Sequence, residues 1–454
     1  MIQPNTGRPE SGVSRRALLG GGAAAAVALP LTALGAVPAQ ADGRPRRGRD
    51  SSVRDATRFL QQVTDAYRGS GPRLAQSYQD ASGLTDIAFV YDNAVTAIAL
   101  LALGDDRRAR AIGDALLYAQ AHDPEFSDHR LRQAYHADGF TDAGGMAVSG
   151  SQYGLVGTAV GDMAWSGIAL AQLARKTRDN RYAQGALWIG QWIYDNAYAE
   201  SGLGGYTFGT TAGLAEHRST EHNIDTYAFF RLLASLTGDR RWQDRAAHAW
   251  SFVTAMWNPE AEFFWTGSDD GVTINRAAAQ LPEDVQTWSW LAAGDKRYAA
   301  ALDWAAGNLA TTDTPLRTNS ALTGNYSVSG IGFGSGSLLT DPTRNIGGQS
   351  YNPRPDVAAV WFEGTAHLAL ALAQRKGAGD AAAADSLLHQ LRSAQDRLGA
   401  GQKFGGTAAV PGGLVAASSP LDTGFGFGYY PNLHTAATSW YLLAAIGANP
   451  YRYL

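Results

Sequence analysis

No cysteine occurs among the 454 residues of the chain. Disulfide staples, thiolate metal sites and a lipid-carrying cysteine are thereby excluded. Charge is also sparse, at 17 % of residues, and acidic groups outnumber basic ones for a net charge of −4. That balance argues against a nucleic-acid partner and against a strongly anionic polymer as ligand. Several reactive motifs are missing: there is no His-Glu-x-x-His, no Walker lysine and no Gly-x-Ser-x-Gly elbow. The nine histidines do not cluster at metal-ligand spacing, and the glycine-rich stretch 329–337 lacks the strand–helix context of a dinucleotide site. Neither a metal nor a cofactor is expected.

The first residues are an address rather than part of the fold. Ser14-Arg15-Arg16-Ala17-Leu18-Leu19 leads into an Ala/Gly-rich apolar run that ends at Ala39-Gln40-Ala41, an A-x-A cleavage signal. The arginine pair reads as a twin-arginine export signal, and the glycines and Pro30 make the run a poor permanent membrane span. Cleavage after Ala41 is expected, giving a secreted monomer of 413 residues with no membrane anchor. The first 41 residues hold three Arg and one Glu, so the remainder carries 34 basic and 40 acidic groups, a balance of −6. An Arg-rich linker over 42–52 precedes one domain spanning 53–454, long enough to bury its own core.

That domain repeats. "LGDDRRAR", "TRDNRYAQ", "TGDRRWQD" and "AGDKRYAA", with a looser "GAGDAAAA", recur after apolar helical stretches. Glycine suits the left-handed residue that closes a helix, and Asp or Asn the cap that opens the next. Such phrases predict tight αα-hairpin turns. The helix entering each turn starts with a polar residue: Asp92, Asp162, Glu221, Asp284, Glu363 and His434, at intervals of 70, 59, 63, 79 and 71 residues. Each entering helix is apolar nearly all round, as a fully buried helix is, whereas the following one is amphipathic. Buried inner helices ringed by amphipathic outer ones describe an all-α (α/α)6 toroid of six hairpins. Outer-to-inner connections are long, roughly 123–160, 198–219, 258–282, 311–360 and 400–432, and would carry any small β-hairpins.

All six polar starts then ring one mouth. A helix dipole favours an acid in any first turn by only about 0.3–1 kcal/mol, which would explain one of them alone. Five acids and a histidine together favour a water-filled cavity, because unpaired charge in a packed core is costly. In "STEHNIDTYAFFRLLASLTG", Glu221 and Asp225 are four apart and share a helix face, while His222 and Asn223 are placed to orient neighbours or hold a ligand hydroxyl. Aromatic residues crowd the same end: Trp165, Trp288, Trp265, Tyr429 and Tyr430 suit the apolar faces of sugar rings, with Trp165 and Trp288 equally readable as core.

With twin-arginine export, six hairpins and acids at inner-helix starts, the chain resembles the six-hairpin glycosidase superfamily; "EHNID", "WFEGTAH" and "LHTAATSWY" are words similar to a bacterial group within it. The resemblance implies an (α/α)6 toroid acting on glycans, often by inversion with two carboxyl groups. The expected activity is hydrolysis of a polysaccharide or oligosaccharide, with Glu221 as acid, Asp284 or Glu363 as base in preference to Asp225, and Asp92, Asp162 and His434 among the sugar-binding groups. Two alternatives stand beside it. A polysaccharide lyase would draw its base and cation from His222, Tyr227, Arg218 and His434, and a non-catalytic relative would only bind glycan.

Overall fold

The computed structural model describes residues 49–67, 72–211, 213–276, 281–316, 326–340 and 354–454. The export signal, most of the Arg-rich linker and much of the 311–360 connection lie outside the described residues. Twelve α-helices are present among them: α1 (Arg49–Thr64), α2 (Val90–Ala102), α3 (Asp106–Ala121), α4 (Val160–Thr177), α5 (Asn180–Ala197), α6 (Thr220–Thr237), α7 (Arg241–Ala255), α8 (Glu283–Ala293), α9 (Ala300–Asn308), α10 (Phe362–Arg375), α11 (Asp380–Arg397) and α12 (Thr435–Ile446). The first opens at Arg49, inside the stretch read as linker.

The even-numbered helices form a closed inner ring: α2 packs on α4, α4 on α6, α6 on α8, α8 on α10, α10 on α12, and α12 back on α2. Each odd-numbered helix from α3 to α11 packs outside the inner helix before it. The sixth outer place is filled from the other end of the chain, where α1 packs on α12. This arrangement is the (α/α)6 toroid, closed by its N-terminal helix. Hairpin turns follow the expected chemistry. Gly238 and Gly294 adopt positive φ, and the carboxylates of Asp239 and Asp295 accept the N–H groups of Arg241 and Arg297. At the α4–α5 and α10–α11 turns the left-handed residue is instead Arg178 or Lys376. Among the described residues, strands are confined to seven two-stranded antiparallel pairs in the connections.

One device recurs at all six inner helices. The side chain four residues beyond the N-cap accepts a hydrogen bond from a backbone N–H of the incoming loop. The six pairs are Asn93 Oδ1 with Ala75 N (2.8 Å), Met163 Sδ with Leu131 N (3.2 Å) and Asn223 Oδ1 with Tyr206 N (2.8 Å), then Gln286 Oε1 with Phe264 N (2.8 Å), Thr365 Oγ1 with Ile331 N (3.1 Å) and Thr438 Oγ1 with Leu414 N (2.9 Å). Long loops bring backbone donors that must be satisfied once buried. The inner helices satisfy one each and fix the loop over the same end of the ring.

The opposite end is closed by the C-terminal segment. Gln172 Nε2 donates to the carbonyls of Pro450 (3.1 Å) and Arg452 (2.6 Å), and Asn449 Nδ2 donates to the Leu291 carbonyl and to Gln374 Oε1, both at 2.9 Å. Tyr453 Oη donates to the Leu232 carbonyl (2.9 Å). Tyr451 is thereby driven up into the ring, where it is buried.

Asn93 also donates to the carbonyls of Ala75 and Phe89. Asn93→Leu, which strands these buried groups, is expected to destabilise the protein by ~2 kcal/mol or more. Thr438→Val, which loses a single clamp, should cost about half as much in urea unfolding.

Candidate active site

Two layers of side chains, four residues apart on each inner helix, face the axis. The outer layer stands two residues beyond each N-cap and comprises Tyr91, Gly161, Glu221, Asp284, Glu363 and Ala436. One turn deeper stand Val95, Trp165, Asp225, Trp288, His367 and Trp440. Residues i and i+4 share a helix face, so this order follows from the helical repeat. Three indoles from alternate helices meet on the axis: Trp165–Trp288 at 5.3 Å, Trp165–Trp440 at 5.7 Å and Trp288–Trp440 at 5.8 Å between centroids. They form the floor of the mouth, and Tyr451 packs beneath it on Trp165 and Trp288.

The acids gather above and around this floor. Asp92, Asp284 and Glu363 are buried, whereas Asp162 and Glu221 keep a solvent-facing edge. Glu363 accepts the hydroxyl of Tyr91, which in turn accepts the Trp440 indole N–H at 2.8 Å. His434 Nε2 lies 3.1 Å from Asp92 Oδ2, and its Nδ1 lies 3.8 Å from Glu363 Oε2. Tyr451 Oη donates to Asp225 Oδ1 at 2.7 Å.

Burial sets the protonation of the cluster, and mutual repulsion adds to it. Burial, then the charges of Asp284 and Asp225, push Glu221 well above the usual carboxylate range. Burial and Asp284 do the same to Asp225, against the pull of the Tyr451 hydroxyl. Asp162 is raised by burial and by Asp92 to about 8. Burial raises Asp284 to about 7 against the Val285 N–H that it accepts, and raises Glu363 to about 7 against His434 and the Tyr91 hydroxyl. Glu221, like Asp225, is thus held towards the protonated form, whereas His434 and the Tyr91 hydroxyl pull Glu363 towards the anion.

The remaining sequence candidates divide. Tyr429 stacks on Trp361 at 5.8 Å, one residue before α10, and leans towards His434, forming a wall. Tyr430 lies half-buried beside it. Trp165 and Trp288 are floor. Asn223 gives both amide hydrogens to the carbonyls of Tyr206 and Ser219, so it clamps a loop rather than presenting a donor to the mouth. His222 is buried against Phe208, close to Gly161, where a Cβ would meet the imidazole at 2.5 Å, and burial lowers it to about 3. Trp265 packs on Phe263, which itself packs on Trp304 of the outer helix α9. Arg218 spends its guanidinium on the carbonyls of Ser201 and Gly271, and Tyr227 packs on Trp250 of α7. The set a lyase would draw on does not converge.

Besides Tyr91, the residues Glu283, His367, Tyr78 and Tyr451 take part without being named from the sequence. Glu283 precedes Asp284 and is fully buried, with its Oε2 3.1 Å from Nδ1 of His367. His367 itself lies four residues after Glu363, the spacing that joined Glu221 to Asp225. Tyr78 stacks on His434 at 4.3 Å with the ring planes 2° apart, and Tyr451 arrives from the far pole. No group of three or more His, Cys, Asp or Glu among the described residues is arranged to hold a metal ion.

No protein-family model matches the sequence, and no curated protein matches it. Solved structures do share its fold. A wild-type glycosidase superposes with a TM-score of 0.56 at 13 % identity, over 88 % of this chain and 98 % of that one. A glutamate-to-alanine variant of a glycosidase in complex with glucose gives 0.55 with the same identity and coverage. The GH76A α-1,6-mannanase from Salegentibacter gives 0.51 at 12 % identity, over 88 % of this chain and 100 % of that one. At such identity the likeness is one of architecture: the chain has the (α/α)6 toroid of the six-hairpin glycosidases.

The titration of Asp284 has a checkable sign. Its folded value of about 7 exceeds the unfolded value of about 3.9, so it favours the folded state most below pH ~4 and loses that contribution as pH rises to 7. Asp284→Asn carries no such proton and is expected to be more thermostable than the parent at pH 8, by on the order of a few kcal/mol, with the difference vanishing near pH 4. Differential scanning calorimetry at both pH values measures it.

Proposed function

We propose that the protein is a secreted glycoside hydrolase, exported by the twin-arginine route, that cleaves a neutral polysaccharide or oligosaccharide as a monomer. The observation that carries this reading is the meeting of Glu221 and Glu363. They stand on α6 and α10, either side of α8 in the inner ring, each two residues beyond its N-cap and so at the same pole. Similar structures include glycosidase variants altered at a tyrosine and at two glutamates, and those residue types meet here as Tyr91, Glu221 and Glu363.

Glu221 protonates the glycosidic oxygen, the C–O bond breaks, the aglycone departs as an alcohol, and Glu221 is left as the carboxylate. Glu363, held by the Tyr91 hydroxyl, removes a proton from water attacking the anomeric carbon from the opposite face. The helix of Asp284 stands between theirs, which leaves room for that water and favours inversion. Asp284 keeps Glu221 protonated by its charge. Asp162, which keeps a solvent-facing edge, accepts sugar hydroxyls, and Tyr429 lines the side. An anionic substrate is disfavoured, because uronic carboxylates would face this acidic rim.

The test is incubation of the purified protein with a panel of neutral glycans that includes α-1,6-mannan and glucans. Products are identified by mass, and the anomer first released by NMR. Glu221→Gln and Glu363→Gln are each expected to lower kcat by about 10²–10⁴-fold with the fold intact. Near-parental turnover in both variants removes the assignment, and an unsaturated product would install the lyase instead. The rate should rise through pH about 7 on its acidic limb, as Glu363 ionises.

A further inference from the structure

Glu363 sits between two carboxyl–imidazole pairs, one at each oxygen. On the Oε1 side, His367 Nε2 lies 3.8 Å away, and the opposite nitrogen, Nδ1, lies 3.1 Å from Glu283 Oε2. On the Oε2 side, His434 Nδ1 lies 3.8 Å away, and its Nε2 lies 3.1 Å from Asp92 Oδ2. The inner imidazole nitrogens, His367 Nε2 and His434 Nδ1, are buried without another hydrogen-bond partner, as is Glu363 Oε2. Each ring is fixed in plane by its neighbours. Trp440, Trp288 and Trp361 box His367 at 4.2, 5.1 and 5.3 Å, and Tyr78 stacks flat on His434. Two unpaired nitrogens aimed at one carboxyl group, each backed by an acid, make an arrangement that hydrocarbon packing alone does not require.

The pairs differ in charge. Glu283 and His367 are both fully buried and face Asp284, Glu363, the Thr287 hydroxyl and indoles. Burial, with Asp284, keeps Glu283 protonated, and burial keeps His367 neutral. The Glu283 O–H therefore donates to His367 Nδ1, which leaves the single imidazole hydrogen on Nε2, pointing at Glu363. His434 faces Asp92, Glu363, Tyr78 and Tyr429. Burial opposes its protonation, yet the Asp92 charge and hydrogen bond, together with Glu363, outweigh it and raise His434.

We propose that Glu283–His367 and Asp92–His434 are positioning dyads that hold Glu363 from its two oxygens, the first as a neutral N–H donor and the second as a cation. Glu363 carries three potential donors: the Tyr91 hydroxyl, His367 Nε2–H and His434 Nδ1–H. Only the last brings a positive charge. His434 therefore controls how readily Glu363 ionises, and His367 controls where its Oε1 points. This assignment of Asp92 and His434 departs from a sugar-binding role for them and rests on the reading of Glu363 as the ionised partner.

Ring-nitrogen NMR of [15N]histidine-labelled protein tests the dyads without any substrate, with resonances assigned from His367→Gln and His434→Gln. His367 is expected to be neutral with hydrogen on Nε2 from pH 5 to 8, and His434 to be cationic at pH 7. Glu283→Gln, whose amide still donates to Nδ1, should retain the His367 tautomer, whereas Glu283→Leu should release it. In turnover, His434→Gln should move the acidic limb up by about one pH unit with KM unchanged. Glu283→Leu should lower kcat about tenfold, and Glu283→Gln should restore it. Hydrogen on His367 Nδ1, a neutral His434 at pH 7, or an unmoved acidic limb in His434→Gln overturns the proposal. If no glycan is turned over by the parent protein, the hydrolase reading fails while the NMR result still decides the dyads.

Discussion

Six helices that point their N-termini at one pole bring together six dipole ends, each equivalent to about half a positive charge. That convergence is the constraint on which the rest depends. Carboxyl groups that would be intolerable in an ordinary core accumulate at this end, as Asp92, Asp162, Glu221, Asp225, Glu283, Asp284 and Glu363 do. The helix ends offset part of the charge, protonation removes more, and the histidines and tyrosines take up hydrogen bonds. The same parallel arrangement forces every outer-to-inner connection to cross the mouth. Walls, acids and floor are therefore consequences of a single choice of direction.

The inner ring has to satisfy two demands at each helix start. One face receives a loop and must quieten its backbone; the adjoining face looks at the axis. The helical repeat separates the tasks by one or two positions. Asn93 clamps a loop beside Asp92, Asn223 does so between Glu221 and Asp225, and Gln286 follows Asp284 by two. Neighbouring polar residues in the sequence thus have unrelated duties. Asn223, expected to orient neighbours or to hold a ligand hydroxyl, orients the loop that carries Tyr206.

Much of the architecture is legible because it is local. Glycine–aspartate turns, the contrast between all-apolar and amphipathic helices, and the six spaced polar starts need no knowledge of distant contacts. The closing of the ring is different: α1 completes the hairpin of α12 from the other end of the chain, and no periodicity announces that partnership. Within the site, Glu221, Asp284 and Glu363 are found by position in the repeat. Choosing between Glu283 and Asp284 requires the helix phase to within one residue. His367 was open to the i, i+4 rule at Glu363, whereas Tyr78 and Tyr451 come from segments with no repeat to mark them. Trp265 lies in the expected connection but packs on Phe263, which leans on the outer helix α9.

The closing segment at the far pole also deserves to be seen as chemistry. Tyr451 hands its hydrogen to Asp225, and Asp225 sits one turn under Glu221 on the same helix. Loss of the 449–453 contacts would thus do more than loosen a surface segment. It would unseat the stopper of the bowl from below, admit solvent under the tryptophans and deprive Asp225 of its hydroxyl donor.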